Sequence, residues 1–192
     1  MEKRFIFFAT NNINKFNEAR KILAKYKIAV GMLRAKPLEI QSETLEEIAS
    51  ASAEESFREC HLPIIVEDAG LFIKALNGFP GPYAAYAYKT IGNKGLLKIM
   101  RNMNDREAKF ESAVAYRSAS LKLPICFKGS VAGQITLKEN KRKNNAGFGF
   151  DPIFKPLGSH KTFAEMPIEE KNNYSHRAMA LRCFAEWHKE KI

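Results

Sequence analysis

The stretch Arg4-Phe5-Ile6-Phe7-Phe8-Ala9-Thr10-Asn11-Asn12 opens the chain with an apolar run and then turns polar. A short apolar run bounded by polar residues is typical of a buried strand. The next segment, from Asn12 to about Tyr26, carries its apolar side chains at helical spacing. A strand that leads directly into a helix is a building unit of α/β proteins. This stretch therefore predicts an α/β fold with a polar junction after its first strand.

Farther along the chain the strand–helix alternation continues and then changes. Strands are predicted over residues 28–33 and 64–66, with a helix between them that runs from a cap at Ser42 or Thr44 to about Cys60. Two long strands follow at residues 110–116 and 125–135, paired through a turn near Lys122, and the last helix runs from Ser175 to about Lys189. This order predicts a mixed sheet, a parallel core extended by antiparallel hairpins, in one domain over residues 1–192.

The composition favours an anionic partner and a reducing compartment. The chain has 192 residues, 45% of them hydrophobic, and a formal net charge of +10. Such a charge favours nucleotides, nucleic acids or acidic surfaces, although charged runs such as residues 138–143 are also typical of a solvated turn. Three widely spaced cysteines without a paired motif predict free thiols. With no apolar run long enough for a signal peptide or a membrane span, the chain is predicted to be cytoplasmic.

The first candidate site is Thr10-Asn11-Asn12-Ile13-Asn14-Lys15, at the predicted strand-to-helix junction. The free N–H groups of a helix N-terminus attract anions. Thr10 and Asn12 can donate further hydrogen bonds, and Lys15 adds a positive charge. The segment lacks the glycines of a P-loop, and it is equally compatible with an Asn that caps the helix beside an incidental Lys.

The second candidate site is Glu67-Asp68, which directly follows the predicted strand at 64–66. Strand ends in α/β sheets open onto the ligand crevice. Adjacent carboxylates repel each other unless a cation or a proton intervenes, and oxygen ligands near phosphates indicate Mg²⁺. Glu39, in an earlier strand-like segment, is a further candidate ligand. A solvated turn is the alternative interpretation.

The third candidate site is Phe148-Gly149-Phe150-Asp151-Pro152, where glycines between aromatic residues can expose ring faces for a nucleobase. Asp151 can accept hydrogen bonds from ring N–H groups. The alternative is a glycine-rich turn with two core phenylalanines. A fourth group combines four donors around the start of the last helix, where an anion or a carbonyl oxygen is favoured: Lys171, Ser175, His176 and Arg177. His61, His160 and His188 lack such a context and are predicted at the surface.

These groups resemble the inosine/xanthosine triphosphate pyrophosphatases, the Ham1-like family. The resemblance covers nearly the whole chain, in family order, through these blocks: Thr10-x-Asn12-x-x-Lys15-x-x-Glu18, Val66-Glu67-Asp68-x-Gly70-Leu71, Leu76-x-Gly78-x-Pro80-Gly81-x-Tyr83, Gly147-Phe148-Gly149-Phe150-Asp151-Pro152, and Phe163 to Arg177. It implies an elongated, mixed twisted sheet flanked by helices, two lobes with a central cleft, and a homodimer. It also implies Mg²⁺-dependent hydrolysis of ITP, dITP and XTP to the monophosphate and pyrophosphate, which clears deaminated purines from the nucleotide pool.

The resemblance also implies roles for individual residues. Asp68 is the implied proton acceptor, and the implied metal ligands are Glu39, Asp68 and Glu67. The implied substrate-binding residues are Thr10, Asn11, Asn12, Ile13, Asn14, Lys15, Ala69, Phe148, Gly149, Phe150, Asp151, Lys171, His176 and Arg177. Two positions depart from the family pattern, since Ala69 replaces the usual Ser or Thr and Phe150 replaces a frequent Trp or Tyr.

Two other classes remain open from the sequence. A nucleotide- or RNA-binding module accounts for the charge and the aromatic residues, although not for the Glu67-Asp68 pair. A pyrophosphatase of the related Maf-like type, acting on pyrimidine nucleotides, shares the predicted fold but not the Ser175-His176-Arg177 group. The implied partners are purine nucleoside triphosphates, with no nucleic acid polymer and no membrane.

Overall fold

The computed structural model describes residues 5–34, 40–140 and 147–191, which form seven strands and six α-helices. In chain order these are β1 (Phe5–Ala9), α1 (Ile13–Ala24), β2 (Ala29–Leu33), α2 (Leu45–Cys60), β3 (Ile64–Ile73), β4 (Pro80–Gly81), α3 (Ala84–Thr90), α4 (Gly92–Ile99), β5 (Glu107–Arg117), β6 (Ile125–Ile135), β7 (Phe154–Pro156), α5 (Ile168–Tyr174) and α6 (His176–Glu190). Short 3₁₀ turns connect some of them.

The strands form one mixed sheet in the order β2-β1-β3-β5-β6-β7, and β4 pairs with β3. β1 runs parallel to β2 and to β3, and it pairs Phe7 with Gly31 and with Ile64. β4 is antiparallel to β3, and β7 is antiparallel to β6. The predicted mixed α/β fold, with a parallel core and later antiparallel strands, is therefore confirmed.

Helix caps fix the first two helices where the sequence predicts them. Asn12 caps α1, and Thr44 rather than Ser42 caps α2 through its hydroxyl, which accepts from the backbone N–H of Glu47 at 3.4 Å. At its other end, α2 stops at His61, which adopts a left-handed conformation with φ of +53°. Such a residue ends a helix because the left-handed conformation cannot continue the right-handed backbone.

The predicted end of the third strand is wrong. β3 continues through Glu67, Asp68 and Gly70 to Ile73, because its second half pairs with β4. A side chain at Gly70 would collide with the carbonyl oxygen of Gly81, since a Cβ there would lie 2.6 Å from that atom. The carboxylate pair therefore lies inside a strand rather than in a turn.

The chain divides into two compact units, each with its own core. Unit 1 contains residues 1–68, 112–129 and 176–192, and its core packs β1, α1 and α6 through side chains that include Phe8, Leu23, Leu181 and Phe184. Unit 2 contains residues 69–111 and 130–175, and its core includes Leu71, Leu96, Phe110, Phe154 and Phe163. The cleft and the single two-lobed domain stay predictions.

Across the described ranges, no helix combines the length and the apolar character that a membrane crossing requires. All three cysteines are free, and burial raises the pKa of the Cys126 thiol to about 11.

Candidate active site

The first strand–helix turn, in unit 1, is built by side chains that bond to its own backbone. The side-chain oxygen of Asn12 accepts from the N–H groups of Asn14 and Lys15 at 3.0 and 3.2 Å. The hydroxyl of Thr10 accepts from the N–H of Asn12 at 3.1 Å. The helix-cap interpretation of Asn12 is therefore correct for its oxygen, and the amide NH₂ group takes no part in these bonds. Asn11, Ile13 and Asn14 are exposed at the start of α1.

Lys15 is not incidental, because its ammonium group reaches β3. Its Nζ lies 2.8 Å from Oε2 of Glu67 and donates to the carbonyl oxygen of Glu67 at 3.3 Å. That carbonyl belongs to the peptide bond that joins Glu67 to Asp68. The Lys15 side chain is 20% exposed, so its charge remains within reach of a ligand.

The carboxylate of Glu67 lies at the centre of a buried polar cluster. Its Oε1 accepts from the hydroxyl of Ser112 at 2.6 Å and lies 3.1 Å from Nε of Arg177. Its Oε2 contacts Lys15 and accepts from the Arg177 guanidinium at 3.4 Å. Arg177 also donates to Glu18 of α1 at 2.5 Å. We call these five residues the Glu67 cluster: Lys15, Glu18, Glu67, Ser112 and Arg177.

The charges of the Glu67 cluster balance, with two carboxylates and two cations. Burial by itself disfavours the charged form of Glu67, but the charges of Arg177 and Lys15 outweigh it and hold the pKa of Glu67 well below its usual range. Burial likewise opposes the charge of Arg177, whereas Glu67 and Glu18 raise the pKa of its guanidinium. The two shifts both favour the charged forms of Glu67 and Arg177, and the cluster explains how these two charges tolerate burial.

The low pKa of Glu67 predicts a loss of stability in acid. Because its pKa is lower in the folded protein than the ordinary value of 4.5, its ionised form stabilises the fold above that value, and this contribution disappears as the pH falls below it. One such group changes the free energy of unfolding by at most about 1.4 kcal/mol per pH unit. Urea denaturation at several pH values between about 5 and 3 gives the free energy of unfolding as a function of pH. This free energy should fall less steeply with falling pH for Glu67→Gln than for the wild type. Equal slopes would contradict the assignment.

Asp68 is the half-buried neighbour of this cluster and the remaining described candidate for a metal ligand. The acceptor positions of Glu67 are engaged by Ser112, Lys15 and Arg177, which argues against Glu67 as a direct ligand, whereas the carboxylate of Asp68 is the oxygen donor that a hard cation prefers. Glu39 lies outside the described residues. Within residues 5–34, 40–140 and 147–191, no group of three or more His, Cys, Asp or Glu side chains is arranged to hold a metal.

The predicted base-binding residues of unit 2 form a second charged group. Lys171 donates to Oδ2 of Asp151 at 2.6 Å, and both side chains are 5% exposed. The same oxygen accepts from the backbone N–H of Phe148 at 3.1 Å. The ammonium of Lys171 lies 4.4 Å from the centre of the Phe148 ring and 5.3 Å from that of Phe163. Both distances are those of cation–π contacts.

The glycine-rich segment exposes fewer ring faces than predicted. Phe150 is 3% exposed and packs edge-on against Tyr88, so the expected open ring face is wrong for this residue, whereas Phe148 is half-buried. Gly149 has φ of +58°, a conformation that glycine adopts easily, and Asn93 donates to its carbonyl oxygen at 3.2 Å. Phe150 therefore belongs to the core of unit 2, as the alternative interpretation of this loop proposes.

The residues after α5 are more buried than a surface pocket predicts. Ser175, His176 and Arg177 are 0%, 3% and 2% exposed, and Arg177 contributes to the Glu67 cluster. His188 is also buried, in contrast to its predicted surface position, and its ring stacks on Phe184 at 5.2 Å. Lys171 belongs to unit 2, whereas His176 and Arg177 belong to unit 1.

The fold and its charged groups define a mixed α/β protein whose first strand–helix turn presents a cation beside a carboxylate-bearing strand. The Ham1 family model matches residues 6–187, and the chain belongs to this family. It is 46% identical over 187 residues to the dITP/XTP pyrophosphatase of Methanopyrus kandleri, covering 97% of each chain. It is 45% identical over 185 residues to the dITP/XTP pyrophosphatase of Thermococcus kodakarensis, covering 96% of this chain and 97% of the relative.

Solved structures carry the same fold. The Ham1 protein of Staphylococcus aureus superposes with a TM-score of 0.81 at 29% identity, over 98% of this chain and all of the other. A HAM1 protein from Coxiella burnetii gives a TM-score of 0.82 at 26% identity, over 97% of this chain and 98% of the other. The expected family is therefore confirmed.

Proposed function

We propose that this chain hydrolyses ITP, dITP and XTP to the nucleoside monophosphate and pyrophosphate. Its membership of the Ham1 family and its full-length similarity to dITP/XTP pyrophosphatases support the proposal. The observation that carries it is the position of Lys15, whose ammonium contacts both the carboxylate and the carbonyl oxygen of Glu67. A cation suited to phosphate is thereby held at the peptide bond that precedes Asp68.

In this proposal the first strand–helix turn binds the triphosphate. The phosphate oxygens are contacted by Lys15, the NH₂ group of Asn12 and the hydroxyl of Thr10. The backbone around them comes from Asn11, Ile13 and Asn14 of the turn and from Ala69 of β3. Asp68 accepts a proton from the attacking water. Proton acceptance from the water adds to the positioning and charge neutralisation on which phosphoryl transfer chiefly depends.

We propose Mg²⁺ as the cofactor, held by Asp68 and by Glu39. When bound, it would neutralise charge on the phosphates. Glu67 organises the charged groups around this site rather than binding the ion, because its oxygens already accept from Ser112, Lys15 and Arg177.

We propose that a second set of residues binds the base or supports its binding: Phe148, Gly149, Phe150, Asp151, Lys171, His176 and Arg177. Lys171 and His176 are the donors that match the 6-oxygen of hypoxanthine and xanthine, and a donor faces the 6-amino group of adenine unfavourably. Phe148 offers a ring to stack on, Gly149 brings the backbone close, and Phe150 supports the loop from the core. Arg177 contributes through the Glu67 cluster.

A panel of nucleoside triphosphates separates this proposal from its alternatives. We expect the purified protein to release pyrophosphate from ITP, dITP and XTP, far more slowly from ATP, CTP and UTP, and to lose the activity in excess chelator. Preferred cleavage of pyrimidine nucleotides would indicate the Maf-like alternative, and binding without turnover would indicate a nucleotide-binding module.

Base selectivity should depend on His176 but not on Lys15. His176→Ala should lower kcat/KM for ITP at least about tenfold more than for ATP, because it removes a donor that only the 6-oxo base uses. Lys15→Ala should weaken both substrates by a similar factor, because they share the triphosphate. Ratios of kcat/KM for ITP and ATP decide between these outcomes.

His188 provides the control for that experiment. Like His176 it is a buried histidine of α6, but it packs against Phe184 and Tyr116. His188→Ala should therefore lower the melting temperature without changing the ITP/ATP ratio. If His176→Ala also leaves the ratio unchanged, His176 does not read the base.

We further propose a homodimer in a reducing, cytoplasmic compartment, with no membrane or nucleic acid polymer among its partners. The three free cysteines agree with such a compartment. Size-exclusion chromatography with light scattering tests the dimer.

A further inference from the structure

Ser112 of β5 is the uncharged member of the Glu67 cluster. Neither the sequence motifs nor the family comparison assigns it a role. It is 2% exposed, and its hydroxyl donates to Oε1 of Glu67 at 2.6 Å. A buried hydroxyl on a strand that also carries small apolar side chains needs a partner, and here the partner is a charged one.

The bond from Ser112 holds one oxygen of the Glu67 carboxylate. Arg177 contacts both oxygens, through Nε at 3.1 Å and through its terminal nitrogen at 3.4 Å, and so holds the carboxylate from one side. Ser112 donates to Oε1 alone, and Lys15 contacts Oε2 alone among the carboxylate oxygens. The hydroxyl therefore helps to fix the plane of the carboxylate, with one oxygen at Ser112 and the other at the Lys15 ammonium.

The residues linked by these contacts differ in their exposure to solvent. The side chain of Glu67 is fully buried, whereas that of Lys15 is 20% exposed. A ligand can therefore meet Lys15 directly, but it can meet Ser112 only through Glu67 and Lys15. Lys15 is therefore the partner of Glu67 through which Ser112 can act on an anionic ligand.

We propose that Ser112 is a positioning residue, which orients the Glu67 carboxylate so that Lys15 is held ready for the triphosphate. This inference rests on the proposed function, in which Lys15 binds phosphate. Holding a charged group in its binding geometry before the ligand arrives lowers the cost of binding. Loss of the hydroxyl should therefore weaken phosphate binding.

The test measures binding of inorganic tripolyphosphate by calorimetry and the steady-state hydrolysis of ITP. Ser112→Ala should raise the Kd for tripolyphosphate and the KM for ITP by about three- to tenfold. This range assumes that part of the free energy of a hydrogen bond to a charged group is lost from phosphate binding by Lys15. In a Lys15→Ala background the same change should have no further effect on either quantity. Melting temperatures verify that each variant folds; because both residues contact Glu67, their effects on stability are not expected to add.

Two further comparisons separate positioning from folding. Ser112→Thr and Ser112→Val have nearly the same shape and differ in the hydroxyl, so Thr should bind tripolyphosphate more tightly than Val even if the alanine variant folds poorly. Ser118→Ala removes another buried serine of unit 1, one whose hydroxyl bonds to Ser120 at 3.0 Å. It should lower the melting temperature without changing the Kd for tripolyphosphate.

The outcomes separate this inference from the proposed function. Equal binding by the Thr and Val variants, or an undiminished effect of Ser112→Ala in the Lys15→Ala background, would overturn the role of Ser112. Absence of pyrophosphate release from ITP by the wild type, with Lys15-dependent binding of tripolyphosphate intact, would instead overturn the proposed function.

Discussion

We expect Asp68→Asn to lower kcat for ITP by about 10²–10⁴-fold, the range typical for loss of a general base. Asparagine keeps the size of the side chain but cannot accept the proton of the attacking water, and it also removes one negative charge from the proposed Mg²⁺ site. Because asparagine has nearly the same shape as aspartate, the substitution should keep β3 and its pairing. The measurement is kcat at saturating Mg²⁺ and saturating ITP, with circular dichroism to verify the fold.

A matched control for this substitution is Asp105→Asn. Asp105 is an exposed aspartate of unit 2 that lies 3.7 Å from Lys74 on the surface. The Asp105→Asn variant should turn over ITP at the rate of the wild type. Near-normal turnover by Asp68→Asn would remove this residue from the catalytic assignment.

We expect Arg177→Met to destabilise the fold by about 3–5 kcal/mol, the usual cost of removing one partner from a buried ion pair. The substitution leaves the buried carboxylates of Glu18 and Glu67 with one cation, Lys15, instead of two. Urea denaturation measures the free energy of unfolding of each variant. Because the loss comes from charge left unbalanced, adding Glu18→Gln to Arg177→Met should restore part of it.

Arg58→Met is the corresponding surface control. Arg58 pairs with Glu54 and Glu55 on one face of α2, and its side chain is 69% exposed. Exposed pairs of this kind contribute less than about 1 kcal/mol. A loss of that small size for Arg177→Met as well would show that the Glu67 cluster does not stabilise unit 1.

Local patterns in the sequence predicted the first strand and the first two helices correctly. The apolar run before Thr10 and the helical spacing after Asn12 correspond to β1 and α1, and the cap at Thr44 starts α2. The family motifs led to the correct fold, because they are long and occur in order. These features depend on residues close together in the chain.

The contacts that organise the site join residues far apart in the chain, and the sequence did not reveal them. Ser112 lay outside every motif, and the block that contained Glu18 did not indicate its partner. Ser112 meets Glu67 across 45 positions, and Glu18 meets Arg177 across 159. The end of β3 was predicted too early because two adjacent carboxylates resemble a turn. Inside the strand, the charge of Glu67 is balanced by Lys15 and Arg177, and no local pattern records that balance.

The most direct test of the central claim is the identity of the products formed from ITP and Mg²⁺. Phosphorus NMR of the reaction distinguishes pyrophosphate from orthophosphate, and chromatography distinguishes the monophosphate from the diphosphate. The proposed function predicts IMP and pyrophosphate in equal amounts, with no IDP at any stage. Formation of IDP and orthophosphate, or no product at all from ITP and XTP, would contradict it.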